Sequence, residues 1–246
     1  MIVRGDAVPH WHIRLELSAL ARPFYPTGLP TNRWFEHYAA VFDTVEINNT
    51  FYQLPELATF HHWREQAPPA FIYAVKANRY LTHQKKLSDP AESLQHFLGR
   101  VRILRPHLGP ILYQLPPRWK RNIDRLARFC ALLPRDLTHV FEFRDPDWLN
   151  DETYSVLVAH SASLCIHDML PRHPRRVIGP VVYVRFHGSG ERYGGSYRRD
   201  HLRRWADWMR GAAVDGRRVY AYFNNDAAGH AVRNAATLKE LLSRRA

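Results

Sequence analysis

Short apolar runs alternate with amphipathic segments along nearly the whole chain. The runs are rich in β-branched and aromatic residues, and several are apolar throughout, which is typical of strands that are covered on both faces. Between them, apolar residues recur three and four positions apart, as Leu94, Phe97 and Leu98 do, and this spacing indicates helices. The alternation predicts parallel βα units. Eight runs qualify as strands: residues 12–17, 43–47, 71–76, 110–115, 139–143, 163–167, 181–187 and 218–223.

Eight strands with intervening helices predict one (β/α)8 TIM-type barrel. The chain of 246 residues is close to the roughly 250 that such a barrel needs, so residues 1–246 are interpreted as a single domain. Helices are expected to begin near Pro55, Pro90 and Asp151. An open, doubly wound sheet stays an alternative, because a count of strands does not establish closure.

Polar residues stand where seven of the predicted strands end. In a parallel α/β barrel the chemistry lies at these carboxyl ends. Charged groups inside apolar runs are costly unless they are paired, so a buried ion-pair network is the structural alternative to a site. The mixture of carboxylate, ammonium, guanidinium and imidazole groups favours a site. We predict catalytic roles for Glu46, Lys76, Glu142 and His187, and binding roles for Asn48, Tyr52, Gln114, Arg144, Asp168, Arg185, Gly188, Tyr193, Tyr197, Asn224, Asn225 and His230.

Two of the predictions concern geometry. Seven of these side chains are expected to face one cavity: Glu46, Lys76, Gln114, Glu142, Arg185, His187 and Asn224. A phosphate-like group is expected between the glycine-rich residues 188–197 and the start of the last helix near Gly229 and His230, because helix N-termini and glycine-rich loops offer backbone N–H donors.

Charge and composition bear on the partner. The net charge is +12, and from Pro171 onward 15 Arg and 1 Lys stand against 6 acidic residues. Such a bias is found in proteins that bind nucleic acid, although solvated helix faces produce it too. The sequence contains no run of about 20 apolar residues, so no membrane-spanning helix is predicted. Cys130 and Cys165 form no disulfide framework, so we expect a cytoplasmic protein.

Seven segments of the chain carry a combined signature: Glu-Ile-Asn-Asn-Thr-Phe-Tyr at 46–52, the predicted strand at 71–76, Tyr-Gln-Leu-Pro-Pro at 113–117, Glu-Phe-Arg at 142–144, Tyr-Val-Arg-Phe-His-Gly at 183–188, Tyr-Phe-Asn-Asn at 222–225 and Gly-His-Ala at 229–231. Together they resemble the YecE-like family (domain of unknown function 72). The likeness spans about residues 24–242 and implies a barrel of this type, but no particular reaction. The family usually opens on a strand that ends in a Gly-Thr-Ser-Gly-Trp-like motif, which is absent here, so the segment before Phe24 is expected to be the least regular part.

Three functions remain open at this point. The first is an enzyme that acts on a small anionic or polyhydroxylated substrate, with Glu46 and Glu142 as acid/base groups and Lys76 and Arg185 tuning them. The second is a nucleic-acid-binding protein or nuclease that uses the Arg-rich C-terminal third, and the third is a binding module without catalysis. No cofactor is predicted, and a divalent metal and the oligomeric state are left open.

Overall fold

The computed structural model describes residues 24–190 and 193–243. Seven strands lie in one sheet in the order in which they occur along the chain, and every neighbouring pair is parallel. They correspond to seven of the eight predicted strands. The remaining predicted strand, residues 12–17, lies outside the described residues, and so does the segment before Phe24 that is expected to be irregular. The strands are β1 (Thr44–Ile47), β2 (Ile72–Lys76), β3 (Leu108–Gln114), β4 (His139–Glu142), β5 (Ser163–His167), β6 (Val182–Phe186) and β7 (Val219–Phe223).

Helices connect the strands, and two of the predicted starts are confirmed. Pro90 caps the helix after β2, and Asp151 is the first residue of the helix after β4, where Asn150 accepts a hydrogen bond from the Thr153 N–H. The second of the two helices that follow β1 begins at Leu57, two residues beyond the predicted Pro55. The helices are α1 (Trp34–Val41), α2 (Asn49–Tyr52), α3 (Leu57–Gln66), α4 (Ala91–Val101), α5 (Ile123–Ala131), α6 (Asp151–Ala159), α7 (Arg199–Ala212) and α8 (His230–Ser243), with a π-helix at Tyr80–Gln84.

Alternate residues of the strands pack on two different cores. The outward-facing side chains, such as Val75, Phe141 and Val184, pack with the helices in the larger core. The inward-facing ones form a smaller core inside the barrel: Ala74, Leu112, Val140, Cys165, Val181, Tyr183, Tyr220 and Tyr222. Both faces of the sheet are therefore buried, as the apolar runs in the sequence predict.

The first and last strands approach each other. Within the described residues they form no ladder with each other, but the Thr44 hydroxyl on β1 lies 3.0 Å from the Tyr222 hydroxyl on β7, and Lys239 on α8 donates to the Val41 carbonyl beside β1. A doubly wound sheet would reverse its strand order at a switch point. The sequential order and these contacts show a nearly closed barrel.

Candidate functional site

A layer of polar side chains closes the inner core at the carboxyl ends of the strands. Each member lies two residues after an inward-facing residue, as Glu142 follows Val140, so strand alternation points it into the barrel. Glu46 and Glu142 are fully buried, and Arg185 nearly so. We call this set the polar layer: Glu46, Lys76, Gln114, Glu142, His167, Arg185 and Asn224.

Arg185 joins two carboxylates that come from opposite parts of the sheet. Its Nη2 donates to Glu46 Oε1 at 2.7 Å, and its Nη1 donates to Glu142 Oε2 at 2.6 Å. Glu46 also accepts from the Tyr183 hydroxyl at 2.7 Å and from Asn48 Nδ2 at 2.9 Å. Strands β1, β4 and β6 are thus held together by buried, charge-assisted hydrogen bonds.

The network continues to the loops after β4, β5 and β6. Arg144 Nε donates to Glu142, and its Nη2 lies 2.9 Å from His187 Nε2. His187 Nδ1 lies 3.1 Å from Asp168 Oδ1, which also accepts from the His187 backbone N–H at 2.9 Å. The Tyr197 hydroxyl donates to the other oxygen of Asp168. Because Arg144 only donates, His187 carries its proton on Nδ1, where Asp168 accepts it.

The titratable groups of this network have different protonation states. Burial alone would raise the pKa of Glu142, but the charges of Arg144 and Arg185 outweigh it and hold the pKa well below its ordinary value. Burial and the same two arginines lower the pKa of His187 well below 6.5, so its imidazole is neutral. Burial raises the pKa of Asp168 to about 6. Asp168 therefore exchanges its proton nearest to neutral pH, a property that functional carboxyls often have.

Several buried polar atoms at this end have no hydrogen-bond partner among the described residues. They include Asn48 Oδ1, His167 Nδ1 and both amide atoms of Asn224. His167 Nε2 lies 2.8 Å from the Phe143 carbonyl, and burial lowers the pKa of this histidine to about 3. Buried polar groups are normally satisfied, so these atoms indicate the place of a ligand or of ordered water.

Sequence reasoning missed His83, which lies on the π-helix after β2. Its ring packs edge-on against the Phe51 ring, with 5.0 Å between ring centres. Lys76 Nζ lies 4.0 Å from the centre of the Phe51 ring. Burial, together with Lys76 and Arg79, lowers the pKa of His83 to about 4. π-Helical turns are frequent at functional sites, but residues 80–84 have no periodicity by which a sequence would reveal one.

Other predicted binding residues lie apart from the polar layer. Tyr52 is 75% exposed, whereas Tyr197 is buried, so the Tyr197 ring is not accessible for stacking on a nucleic-acid base. The Asn225 amide donates to the Gly195 carbonyl and to Asn234, and thereby holds the loop after β6 against α8. His230 pairs with Arg233 on the surface.

Three backbone donors of the predicted phosphate site are already used within the protein. The Gly188 N–H donates to the Tyr197 hydroxyl at 2.6 Å, the Tyr193 N–H to the His187 carbonyl, and the Gly229 N–H to the Asp226 carbonyl. A phosphate there would have to displace these bonds. The geometry therefore favours the polar layer over this loop as the place for a ligand.

The sequence model described as "Protein of unknown function DUF72" matches residues 15–246. The chain belongs to the DUF72 family. The UPF0759 protein YunF of Bacillus subtilis is 24% identical over an alignment of 253 positions, which covers 89% of this chain and 89% of YunF. The family resemblance in the sequence is thereby confirmed.

Two solved structures of DUF72 proteins share the barrel. The one from Thermotoga maritima has a TM-score of 0.85 at 26% identity, over 98% of each chain. One from Enterococcus faecalis has a TM-score of 0.75 at 20% identity, over 87% of this chain and 95% of that one. The likeness establishes the TIM-type fold for this DUF72 chain and leaves its reaction to be derived from the site.

Backbone strain in this DUF72 chain is concentrated at the same end of the barrel. Among the described non-glycine residues with positive φ, all but Ser161 lie in the connections that follow strands: Lys86, Leu87, Asp89, Arg118, Tyr193 and Ala228. Such conformations persist where the surrounding structure enforces them, and they often mark functional sites.

Among residues 24–190 and 193–243, no group of three or more His, Cys, Asp or Glu side chains is arranged to hold a metal ion. Within the same residues, no helix is long and apolar enough to cross a membrane.

Proposed function

We propose that this DUF72 protein is an enzyme that binds a small anionic or polyhydroxylated substrate at the polar layer and acts on it by proton transfer. The observation that carries the proposal is the buried chain of hydrogen bonds from Glu46 through Arg185, Glu142, Arg144 and His187 to Asp168. It lies where α/β barrels place their chemistry, and it ends at a carboxyl group whose pKa is near neutral.

The electrostatics divide the work differently from the sequence prediction. A carboxylate that two arginines keep ionised is a poor proton donor, so Glu142 serves to hold Arg144 and Arg185 in place. We assign the proton transfer to Asp168. His187 and Tyr197 orient its carboxyl group, and both Asp168 oxygens are engaged by them.

Nucleic-acid binding through the C-terminal third receives less support. Arg199 pairs with Glu240 at 2.9 Å, and Arg204 and Arg198 both reach Asp200. Arg199 and Arg204 lie on α7, Arg198 immediately precedes it, and all three side chains are exposed. They fit the interpretation that part of the positive charge belongs to solvated, ion-paired helix surface.

The test is to incubate the purified protein with a mixture of small metabolites and to follow their consumption by mass spectrometry. We expect the wild type to convert at least one compound, and Asp168→Asn to convert it about 100-fold more slowly or worse. Arg199→Ala, which removes only an exposed ion pair with Glu240, is the control and should keep full activity. If the wild type binds compounds but converts none, the protein is a binding module and the proposal fails.

A further inference from the structure

We propose that the ligand of the polar layer is a polyol or a sugar, which donates hydroxyl hydrogens to Asn48, His167 and Asn224. This inference rests on the proposed function only for the location of the site. It is carried by the chemical identity of the unpartnered atoms, which the neighbouring bonds determine one by one.

Asn48 presents a hydrogen-bond acceptor. Its Nδ2 lies 3.1 Å from the Glu46 carbonyl oxygen and 2.9 Å from Glu46 Oε1. The carbonyl can only accept, which fixes the orientation of the amide. The remaining atom, Oδ1, is therefore an oxygen, and it is buried without a partner among the described residues.

His167 presents a second acceptor by the same reasoning. Its Nε2 faces the Phe143 carbonyl, which cannot donate, so the ring proton lies on Nε2. The imidazole is neutral because burial disfavours its charged form. Nδ1 therefore carries a lone pair, and within the described residues this buried nitrogen has no partner.

Asn224 offers both functions on one side chain. Neither its amide nitrogen nor its amide oxygen has a partner in the described part of the chain, although the residue is almost wholly buried. The ligand must accept one hydrogen bond here and donate another. A hydroxyl group does both, whereas an ionised phosphate or carboxylate only accepts.

The charge balance of the layer agrees with a hydroxylated ligand. Glu46 and Glu142 are already neutralised by Arg185 and Arg144, at hydrogen-bond distance. Among the described residues of the layer and its neighbour Asn48, the unpartnered buried atoms are three acceptors, Asn48 Oδ1, His167 Nδ1 and Asn224 Oδ1, and two donors, Asn224 Nδ2 and Arg185 Nε. Hydroxyl groups, which both donate and accept, satisfy this mixture. Several hydroxyl groups on one carbon chain match acceptors that are distributed around the barrel.

An exposed aromatic ring also lies beside His187, which is hydrogen-bonded to the network of the polar layer. The Tyr193 ring packs against His187 with 5.9 Å between ring centres, yet it is 44% exposed. Its φ of +64° is costly for a tyrosine, and the Tyr193 N–H bond to the His187 carbonyl holds it there. An amphipathic ring in this position suits the C–H face of a sugar or polyol.

The experiment follows the His167 ring nitrogens by ¹⁵N nuclear magnetic resonance while xylitol, glycerol or inorganic phosphate is added. With either polyol we expect an upfield shift of Nδ1, as an acceptor shows when it gains a donor, and no such shift with phosphate. Asn48→Leu and Asn224→Leu should each weaken the polyol titration about three- to tenfold. Asn32→Ala, at an exposed asparagine, should leave it unchanged.

The outcomes separate this inference from the proposed function. A shift with phosphate but not with the polyols overturns the inference, and so does the absence of any shift at molar polyol. Turnover of a substrate without hydroxyl groups would leave the proposed function intact and remove the inference. Polyol binding without turnover of any substrate would support the inference and contradict the proposed function.

Discussion

At the residue scale, Arg185 is the side chain that links the two buried carboxylates of the polar layer. Replacing it with methionine, which keeps much of the volume, leaves Glu46 and Glu142 with less neutralisation in the interior. We expect Arg185→Met to lower the free energy of unfolding by about 3–5 kcal/mol, because an uncompensated buried charge is costly. Urea denaturation measures the change.

A matched arginine distinguishes this effect from ordinary loss of an ion pair. Arg199 pairs with Glu240 in a bond of similar length, but the two side chains are 45% and 42% exposed. Arg199→Ala should cost about 0–1 kcal/mol. Similar losses in the free energy of unfolding for the two variants would show that Arg185 contributes no more than an exposed ion pair does.

Asp168 makes stability depend on pH in an unusual direction. Burial raises its pKa from 3.8 to about 6, so the folded state binds this proton more tightly than the unfolded state does. As pH rises from about 4 to about 6, the wild type should lose stability relative to Asp168→Asn, by about 3 kcal/mol at most, and then the difference should stay constant. Denaturation curves of both proteins across this range provide the measurement.

Asp136 is expected to change stability with pH in the opposite direction. Side-chain hydrogen bonds from Arg102 and Arg105 lower its pKa to about 2. Its contribution to stability is therefore present above about pH 4 and is lost as pH falls toward 2. Relative to Asp136→Asn, the wild type should lose stability on acidification, and a shared sign for the two aspartates would refute the assignment of Asp168.

The sequence identifies most members of the polar layer but not their bonds. Glu46, Glu142 and Arg185 are recognisable as charges inside apolar strands. Which carboxylate each arginine binds depends on the register between strands that are far apart in sequence. For this reason the sequence predicts Glu46 and Glu142 as the acid/base groups, whereas we propose Asp168 for the proton transfer.

At the scale of elements, the connection from β5 to β6 passes close to the backbone at the start of β5. Gly179 has a φ of +85°, and a Cβ atom there would lie 2.3 Å from the Ala162 carbonyl oxygen and 2.6 Å from Ser163 Cα. We expect Gly179→Ala to lower the free energy of unfolding by at least about 1–2 kcal/mol, from the left-handed conformation alone. Calorimetric melting temperatures are the measurement.

Gly99 is the control for this substitution. It lies inside α4, and a Cβ atom there would meet no other atom within 4 Å. Gly99→Ala should stabilise the protein by about 1 kcal/mol through helix propensity. A loss of stability in both variants would mean that the effect at Gly179 is not a matter of local geometry.

Element boundaries show where sequence patterns lose information. The start of β3 is predicted at Pro110, but the strand begins at Leu108. Gly109 and Pro110 are typical of turns, yet a Cβ atom on Gly109 would lie 2.3 Å from Ile72 Cγ2. The glycine is needed because strands β2 and β3 approach closely here, which is a tertiary cause that local patterns do not carry.

At the scale of the whole molecule, topology follows from the order of the elements. Alternating apolar strands and amphipathic helices permit few arrangements of a parallel sheet, so the barrel is predictable from the sequence. The distribution of charge is less predictable. The Arg-rich C-terminal third suggests a nucleic-acid surface until the ion pairs on α7 are known.

Binding of nucleic acid therefore provides the last prediction. A chain with a net charge of +12 attracts polyanions, but paired arginines and a buried Tyr197 offer little beyond that attraction. We expect a labelled single strand of about 20 nucleotides to bind at about 50 mM salt and to lose at least about tenfold in affinity by about 200 mM. Fluorescence anisotropy measures both affinities.

The variant Tyr193→Ala makes this test decisive between the two classes of function. Diffuse electrostatic attraction does not involve an aromatic ring, so the variant should bind the strand as the wild type does. Stacking of a base on Tyr193 would contribute about 1–3 kcal/mol and would make the variant markedly weaker. Binding that persists in high salt and also depends on Tyr193 would assign the surface beside His187 to nucleic acid and would contradict a small-molecule site.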